Sequence, residues 1–149
     1  MRVEKAMISV LKNREAIQDV LRLFSDRLGS LRQGEKYIAD MAEKFSRYAE
    51  FLVMTENDDV IAFSAFYCND TVSGKAFLSM IAVSSGGEGK GHGTVMLNEV
   101  LNVCAERGMK VLMLEVGKAN VRAVDFYKRN GFSFAEKQTE RSFFMEKSI

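Results

Sequence analysis

The stretch Ser84-Ser85-Gly86-Gly87-Glu88-Gly89-Lys90-Gly91-His92-Gly93 holds five of the chain's 11 glycines. It follows an apolar run and precedes a segment with helical periodicity. A strand, a glycine cluster and a helix in that order form an anion cradle for a physical reason. The first amides of a helix have no intrahelical acceptor, and the helix dipole adds partial positive charge there. Glycines let the backbone approach a ligand closely and adopt positive φ, so phosphate groups bind with little help from side chains. Lys90 can add a formal charge. Two familiar phosphate motifs are excluded. The P-loop requires Ser or Thr after its lysine, whereas Lys90 is followed by Gly91. The dinucleotide fingerprint, started at Gly87-Glu88-Gly89, reaches His92 where its last glycine should stand. The alternative for this cluster is a flexible strand-to-helix turn. His92 is the chain's one histidine. Between Gly91 and Gly93 in a first helical turn, it reads as a packing or phosphate-touching residue rather than a base. A single imidazole also excludes zinc sites built on several histidines.

The elements that must position this loop follow from periodicity and turn chemistry. Met1 to Val10 reads as a strand. Arg14 to Phe24 carries Ile17, Val20, Leu21 and Phe24 at helical spacing, and Glu35 to Tyr48 carries Ile38, Met41, Ala42 and Phe45 likewise. The polar stretch Asp26 to Gly34 joins them. Phe51 to Met54 and Val60 to Tyr67 are strands joined by the turn cluster Glu56-Asn57-Asp58-Asp59, which predicts a hairpin. Asn69 to Gly74 is another turn. Lys75 to Val83 is a third strand, apolar enough to be buried on both faces. The helix after the glycine cluster presents Leu97, Val100, Leu101 and Cys104 as one stripe and stops near Arg107-Gly108. Lys110 to Val116 is a buried strand. Asn120 to Asn130 is a helix with Ala123, Phe126 and Tyr127 on one face, closed by Gly131. Phe132 to Glu136 and Arg141 to Glu146 are final strands. The order β-α-α-β-β-β-α-β-α-β-β predicts a mixed α/β domain.

Composition narrows the function classes. The 149 residues suit one domain over 1–149, and 47% apolar residues predict a packed core. Basic and acidic residues nearly balance, and no basic run with interleaved aromatics asks for nucleic acid. No apolar run is long enough to span a bilayer, and the N-terminus lacks the apolar core of a signal peptide. Cys68 and Cys104 lack metal-ligand spacing and read as buried free thiols, so a soluble cytoplasmic protein is expected.

The stretch Val83 to Leu97 resembles the acyl-CoA loop of the GNAT superfamily of N-acetyltransferases. In that family Arg or Gln, two residues, Gly, one residue, and Gly or Ala open a helix. The matching residues are Glu88-Gly89-Lys90-Gly91-His92-Gly93. A second segment is also similar: Leu114-Glu115-Val116, Asn120, Ala123, Phe126-Tyr127 and Gly131-Phe132 stand at the family's spacing, and Phe144 to Lys147 resembles its last strand. The resemblance implies a mixed, mostly antiparallel, splayed sheet flanked by helices. Acetyl-CoA would be the acyl donor, without a metal, wedged between a central parallel pair, Lys75 to Val83 and Lys110 to Val116. It assigns the pantetheine arm to backbone groups of Ile81 and Val83. The pyrophosphate falls to the loop from Glu88 and Gly89 through Lys90, Gly91, His92 and Gly93 to Thr94. Asn120 would bond the pantetheine or an ordered water, although a helix N-cap is an equally good use of that residue.

The same resemblance makes Tyr127 the expected catalytic residue. A thiolate leaves when an amine attacks a thioester, and a nearby phenol can donate a hydrogen bond or proton to it. Tyr127 lies seven residues after Asn120, close to two helical turns, so both line one ligand. The alternative is a core aromatic. A backbone N–H near Ile81 or Ala82 is the expected oxyanion donor. The chain departs from the family at Glu88, an acid where Arg or Gln is usual. It also has Ser84 to Gly87 where a proline often follows the strand. Asp70, Glu35 and Ser79 are candidates for receiving the acceptor's proton, none with a motif behind it. The acceptor is expected to be a small-molecule amine, with a protein N-terminus or lysine, or a non-catalytic CoA-binding module, as alternatives. The family also suggests a homodimer through the last strands.

Overall fold

The computed structural model describes residues 6–87 and 89–149. The expected residues Met1 to Lys5 and Glu88 lie outside the described residues. The elements run β1 (Met7–Val10), α1 (Arg14–Leu23), α2 (Glu35–Tyr48), β2 (Glu50–Glu56), β3 (Asp59–Tyr67), β4 (Lys75–Val83), α3 (His92–Glu106), β5 (Val111–Gly117), α4 (Val121–Arg129), β6 (Ser133–Gln138) and β7 (Ser142–Ser148). One 3₁₀ segment, Gly29–Gln33, lies in the α1–α2 connection, and a second, Ser85–Gly87, follows β4. The seven strands order as β1-β2-β3-β4-β5-β7-β6, antiparallel except for the β4–β5 pair. This is the mixed, mostly antiparallel sheet with one central parallel pair that the family resemblance implies.

Strand alternation divides the core in two. In β2, Phe51 and Val53 join Ile17, Leu21, Phe24, Ile38 and Phe45 under α1 and α2. Their neighbours Leu52 and Met54 join Met96, Leu97, Val100 and Cys104 of α3 on the opposite face. Both faces of the central strands are therefore covered, which is why β2 and β3 read as continuous apolar runs. The β2–β3 hairpin turns at Asn57 and Asp58, both at positive φ, as the two central residues of a tight hairpin turn require.

The position of the site depends on one irregularity in β4. Against β3, Met80 pairs with Ala65 and Leu78 pairs with Phe66, so Ser79 is an extra residue and forms a bulge. A bulge bends its strand and increases its twist. The parallel ladder to β5 runs from Lys75↔Val111 to Leu78↔Leu114 and stops there. Beyond it, β4 continues to Val83 along β3 while β5 continues to Gly117 along β7. The sheet thus splays after Leu78. The end of β4 differs from the expected two-faced burial: Ile81, Ala82 and Val83 are only half-buried, because they border the resulting gap.

Candidate active site

Which backbone groups of β4 face the gap follows from its ladder to β3. The Ser84 N–H donates to the Ile61 carbonyl at 2.8 Å. Antiparallel partners alternate between bonded and non-bonded pairs. With Ile81 opposite Ser64, Ala82 opposite Phe63 and Val83 opposite Ala62, Ala82 turns its N–H and C=O toward β3. Ile81 and Val83 turn theirs toward the gap. The Val83 carbonyl already accepts a bond from Arg27 Nε at 3.3 Å, which agrees with this alternation. Of the two expected oxyanion donors, Ile81 is therefore the one whose N–H is available.

The glycine cluster ends as an uncapped helix start. Gly91 is the N-cap of α3 with φ of 81°, and no side chain caps the first turn. Gly89 also has positive φ, 77°. The first internal bond of α3 is Val95 N–H to the Gly91 carbonyl, leaving the amides of His92, Gly93 and Thr94 without intrahelical acceptors. A Cβ on Gly93 would lie 3.2 Å from the Phe126 ring and 3.7 Å from a Val83 methyl. Glycine there lets the start of α3 approach both α4 and β4. The His92 Nδ1 atom is buried and has no hydrogen-bond partner among the described residues. Lys90 is exposed in the turn.

From the other side, α4 brings its N-cap Asn120, whose Oδ1 accepts from the Ala123 N–H at 3.2 Å. The capping role is thus real, and the amide hydrogens on Nδ2 remain for a ligand. Val124 is the α4 residue that enters the core, while Ala123, Phe126 and Tyr127 are half-buried. The expected face thus packs against the α3-side core and lines the cavity as well. Tyr127 makes edge-to-face contacts with Phe126 (5.4 Å) and Phe132 (5.6 Å between ring centroids). Burial pushes its phenol up to about 12, because the apolar surroundings penalise the phenolate. The hydroxyl is therefore protonated throughout the neutral range.

These groups converge on one cavity of about 470 Å³, lined by Ile81, Ala82, Val83, Gly89, Gly91, His92, Gly93, Thr94, Asn120 and Tyr127 together with Arg27, Leu28, Arg122, Ala123, Phe126 and Arg129. Lys90 is not among the lining residues. Neither are Asp70, Glu35 or Ser79. Glu35 is bound by Arg22 through both carboxylate oxygens at 2.9 and 3.0 Å, and this pairing lowers its pKa. Asp70 accepts from the Ser73 hydroxyl at 2.6 Å and its amide at 3.0 Å, again lowering the pKa. Both carboxylates are thereby made poorer proton acceptors. Sequence reasoning missed Arg27 and Leu28 as individual residues, and missed Arg122 and Arg129 altogether.

The donor set fits the expected cosubstrate. Uncapped amides and glycines suit a pyrophosphate, unpaired strand groups suit an amide-bearing arm, and a protonated phenol suits a thiolate. Among the described residues no group of three or more His, Cys, Asp or Glu is placed to hold a metal ion.

A mixed sheet splayed around such a cavity is the architecture that the GNAT resemblance implies. The acetyltransferase (GNAT) family matches residues 17–132, and the chain belongs to that family. It is similar to an uncharacterised N-acetyltransferase of Methanocaldococcus jannaschii, 32% identical over 90 residues. That match covers 58% of this chain and 40% of the relative. Among solved structures, a GNAT-family protein from Desulfovibrio desulfuricans superposes with a TM-score of 0.83 at 18% identity, covering 97% of this chain and 99% of that one. The PaiA N-acetyltransferase of Thermoplasma acidophilum, solved in complex with coenzyme A, gives 0.74 at 17% identity, covering 96% and 99%. At these identities the structures bear on the fold alone.

Proposed function

We propose that the protein transfers an acetyl group from acetyl-CoA to a primary amine of a small molecule. The amine attacks the thioester directly, and Tyr127 assists departure of the thiolate. The observation that carries this reading is the convergence of the α3 amides, the unpaired end of β4 and the protonated Tyr127 hydroxyl on one cavity. Family membership and the coenzyme A complex of the Thermoplasma neighbour support it.

Acetyl-CoA supplies an activated acyl group. The chain's own residues do the rest. The amides from Gly89 to Thr94 hold the pyrophosphate at the positive end of α3. Ile81 and Val83 offer strand hydrogen bonds to the pantetheine arm, and Asn120 adds its Nδ2 hydrogens. The Ile81 N–H is the donor for charge developing on the acyl oxygen. The Tyr127 hydroxyl holds a proton for the departing sulfur. No carboxylate among the described residues lines the cavity, so the acceptor's proton leaves through water or through a group on the acceptor itself.

The reading takes the chain as one N-acetyltransferase domain working in the cytoplasm, with a homodimer through β6 and β7. No helix among the described residues is long and apolar enough to cross a membrane. Both cysteines are buried and free, as a reducing compartment would keep them. Light scattering at micromolar concentration checks the dimer, and a monomer removes it. The acceptor class is tested by a screen of amines with acetyl-CoA, reading free thiol. The screen spans amino sugars, polyamines, amino acids and peptides with free N-termini or lysines. Turnover on small amines is the expected result. Turnover confined to peptides overturns the acceptor class, and binding without thiol release overturns catalysis.

A further inference from the structure

The last turn of α4 is tied down by a residue from another element. Lys147 stands opposite Leu112 in the β5–β7 ladder. Directly opposed residues share a face of the sheet, so Lys147 leaves it on the side of Leu112 and the α3-side cluster, which Val124 of α4 also joins. There its Nζ donates to the Asn130 carbonyl at 2.8 Å. Asn130 is the C-cap of α4. Helix C-termini leave carbonyls without intrahelical donors and carry partial negative charge, and an ammonium group answers both. Gly131 follows at φ of 90°, and a Cβ there would lie 3.0 Å from Lys147 Nζ. Glycine thus makes the left-handed turn and leaves room for the cation. Two further bonds close the same turn. Asn130 Nδ2 donates to the Phe126 carbonyl at 2.8 Å, and the Phe132 N–H donates to the Tyr127 carbonyl at 3.0 Å.

This turn governs the surroundings of the phenol. Helix α4 has nine residues, and Tyr127 lies in its last turn, the part of a helix that frays when nothing holds it. Phe132, buried just beyond the turn, sets its ring edge-to-face against Tyr127. The geometry points to Lys147 as a positioning residue for Tyr127. Its bond to Asn130 closes the end of α4, keeps the Phe132 ring against the phenol and so holds the phenol in the cavity wall. Lys147 is not among the residues that line the cavity, so it acts through the helix and not on the cosubstrate. The assignment rests on the reading of Tyr127 as the group that assists thiolate departure.

A mutant cycle tests the assignment. Free thiol released from acetyl-CoA, with the best amine of the screen above as acceptor, is measured for the wild type, Lys147→Met, Lys147→Arg, Tyr127→Phe and the Tyr127→Phe/Lys147→Met double variant. Circular dichroism checks folding, and Lys147→Gln takes the place of Lys147→Met if the latter does not fold. Lys147→Met should lower kcat about tenfold or more, since a small misplacement of a catalytic group is costly. The KM for acetyl-CoA and the Kd of coenzyme A by calorimetry should stay within about twofold of the wild type. Lys147→Arg should keep most of the rate. In the Tyr127→Phe background, Lys147→Met should cost less than about twofold more, because nothing is left to position. Equal losses with and without Tyr127 overturn the assignment, as does an unchanged kcat in folded Lys147→Met. A loss carried by KM and Kd instead of kcat also overturns it. If Tyr127→Phe alone keeps the wild-type rate, the thiolate reading falls and the assignment with it, a failure seen without any change at Lys147.

Discussion

Burial among Phe126 and Phe132 pushes the Tyr127 phenol up to about 12, and the sign of that shift suits the proposed role. A raised phenol keeps its proton below the shifted value, so Tyr127 carries the proton that the proposed mechanism asks of it throughout the neutral and mildly alkaline range. The rate should climb with pH as the acceptor amine deprotonates and show no alkaline fall until pH approaches about 12, where the buried phenol loses its proton. A pH–rate profile with an alkaline limb near 8 would contradict this. The same shift acts on stability: the contribution of burying the neutral phenol is fully present below about pH 10 and is lost as pH rises toward about 12. Tyr127→Phe should lower turnover by about 10²-fold or more and leave coenzyme A affinity nearly unchanged. An unchanged rate removes Tyr127 from the mechanism. Asn120→Ala deletes the α4 cap and should cost ~1 kcal/mol in urea unfolding, with weaker coenzyme A binding as a separate effect. Asn120 and Tyr127 were legible through the family resemblance, since residue type and spacing alone allowed a helix cap and a core aromatic, and both line the cavity. Arg122 and Arg129 were not, because a cation on an exposed helix face has the same sequence signature whether it meets solvent or a ligand. The part of Arg27 was also hidden, since its contact with Val83 spans 56 residues.

At the scale of elements, periodicity placed each helix and strand to within a few residues, and turn chemistry placed the β2–β3 hairpin. The splay was supplied by family resemblance and not by any residue type in β4. Nothing about a serine at 79 announces a bulge. The exposed end of β4 escaped for the same reason: Ile81-Ala82-Val83 is as apolar as a fully buried strand. The α3 entrance makes two separable predictions. Gly91 has φ of 81° with open space around its Cβ position, so Gly91→Val acts through backbone strain of about 1–3 kcal/mol. Calorimetry should show loss of coenzyme A binding while circular dichroism remains native. Gly93 has ordinary φ but a crowded Cβ position. Gly93→Ala should push α3 away from Phe126, cost about 1–3 kcal/mol in thermal or urea unfolding, and weaken binding with it. Retained binding in Gly91→Val would remove the loop from the cosubstrate site.

For the molecule as a whole, the sheet is a partition with a separate apolar cluster on each side. The two thiols belong to the α3 side. Burial raises Cys68 and lifts Cys104 to about 12, and a thiol held protonated and inaccessible is a poor nucleophile. A maleimide reagent should label neither cysteine in the native protein and both after unfolding. Fast native labelling would show that the α3 side opens readily. The bulge at Ser79 has a consequence for this partition. By ending the β4–β5 ladder at Leu78, it gives the protein a strand edge in the middle of its sheet, where other proteins keep edges at the margin. Such an edge is a template waiting for a strand, and a bound pantetheine arm would complete it. Amide hydrogen exchange should therefore be quick at Ile81 in the free protein, slow at its neighbour Ala82, and slow at both once coenzyme A fills the missing strand position.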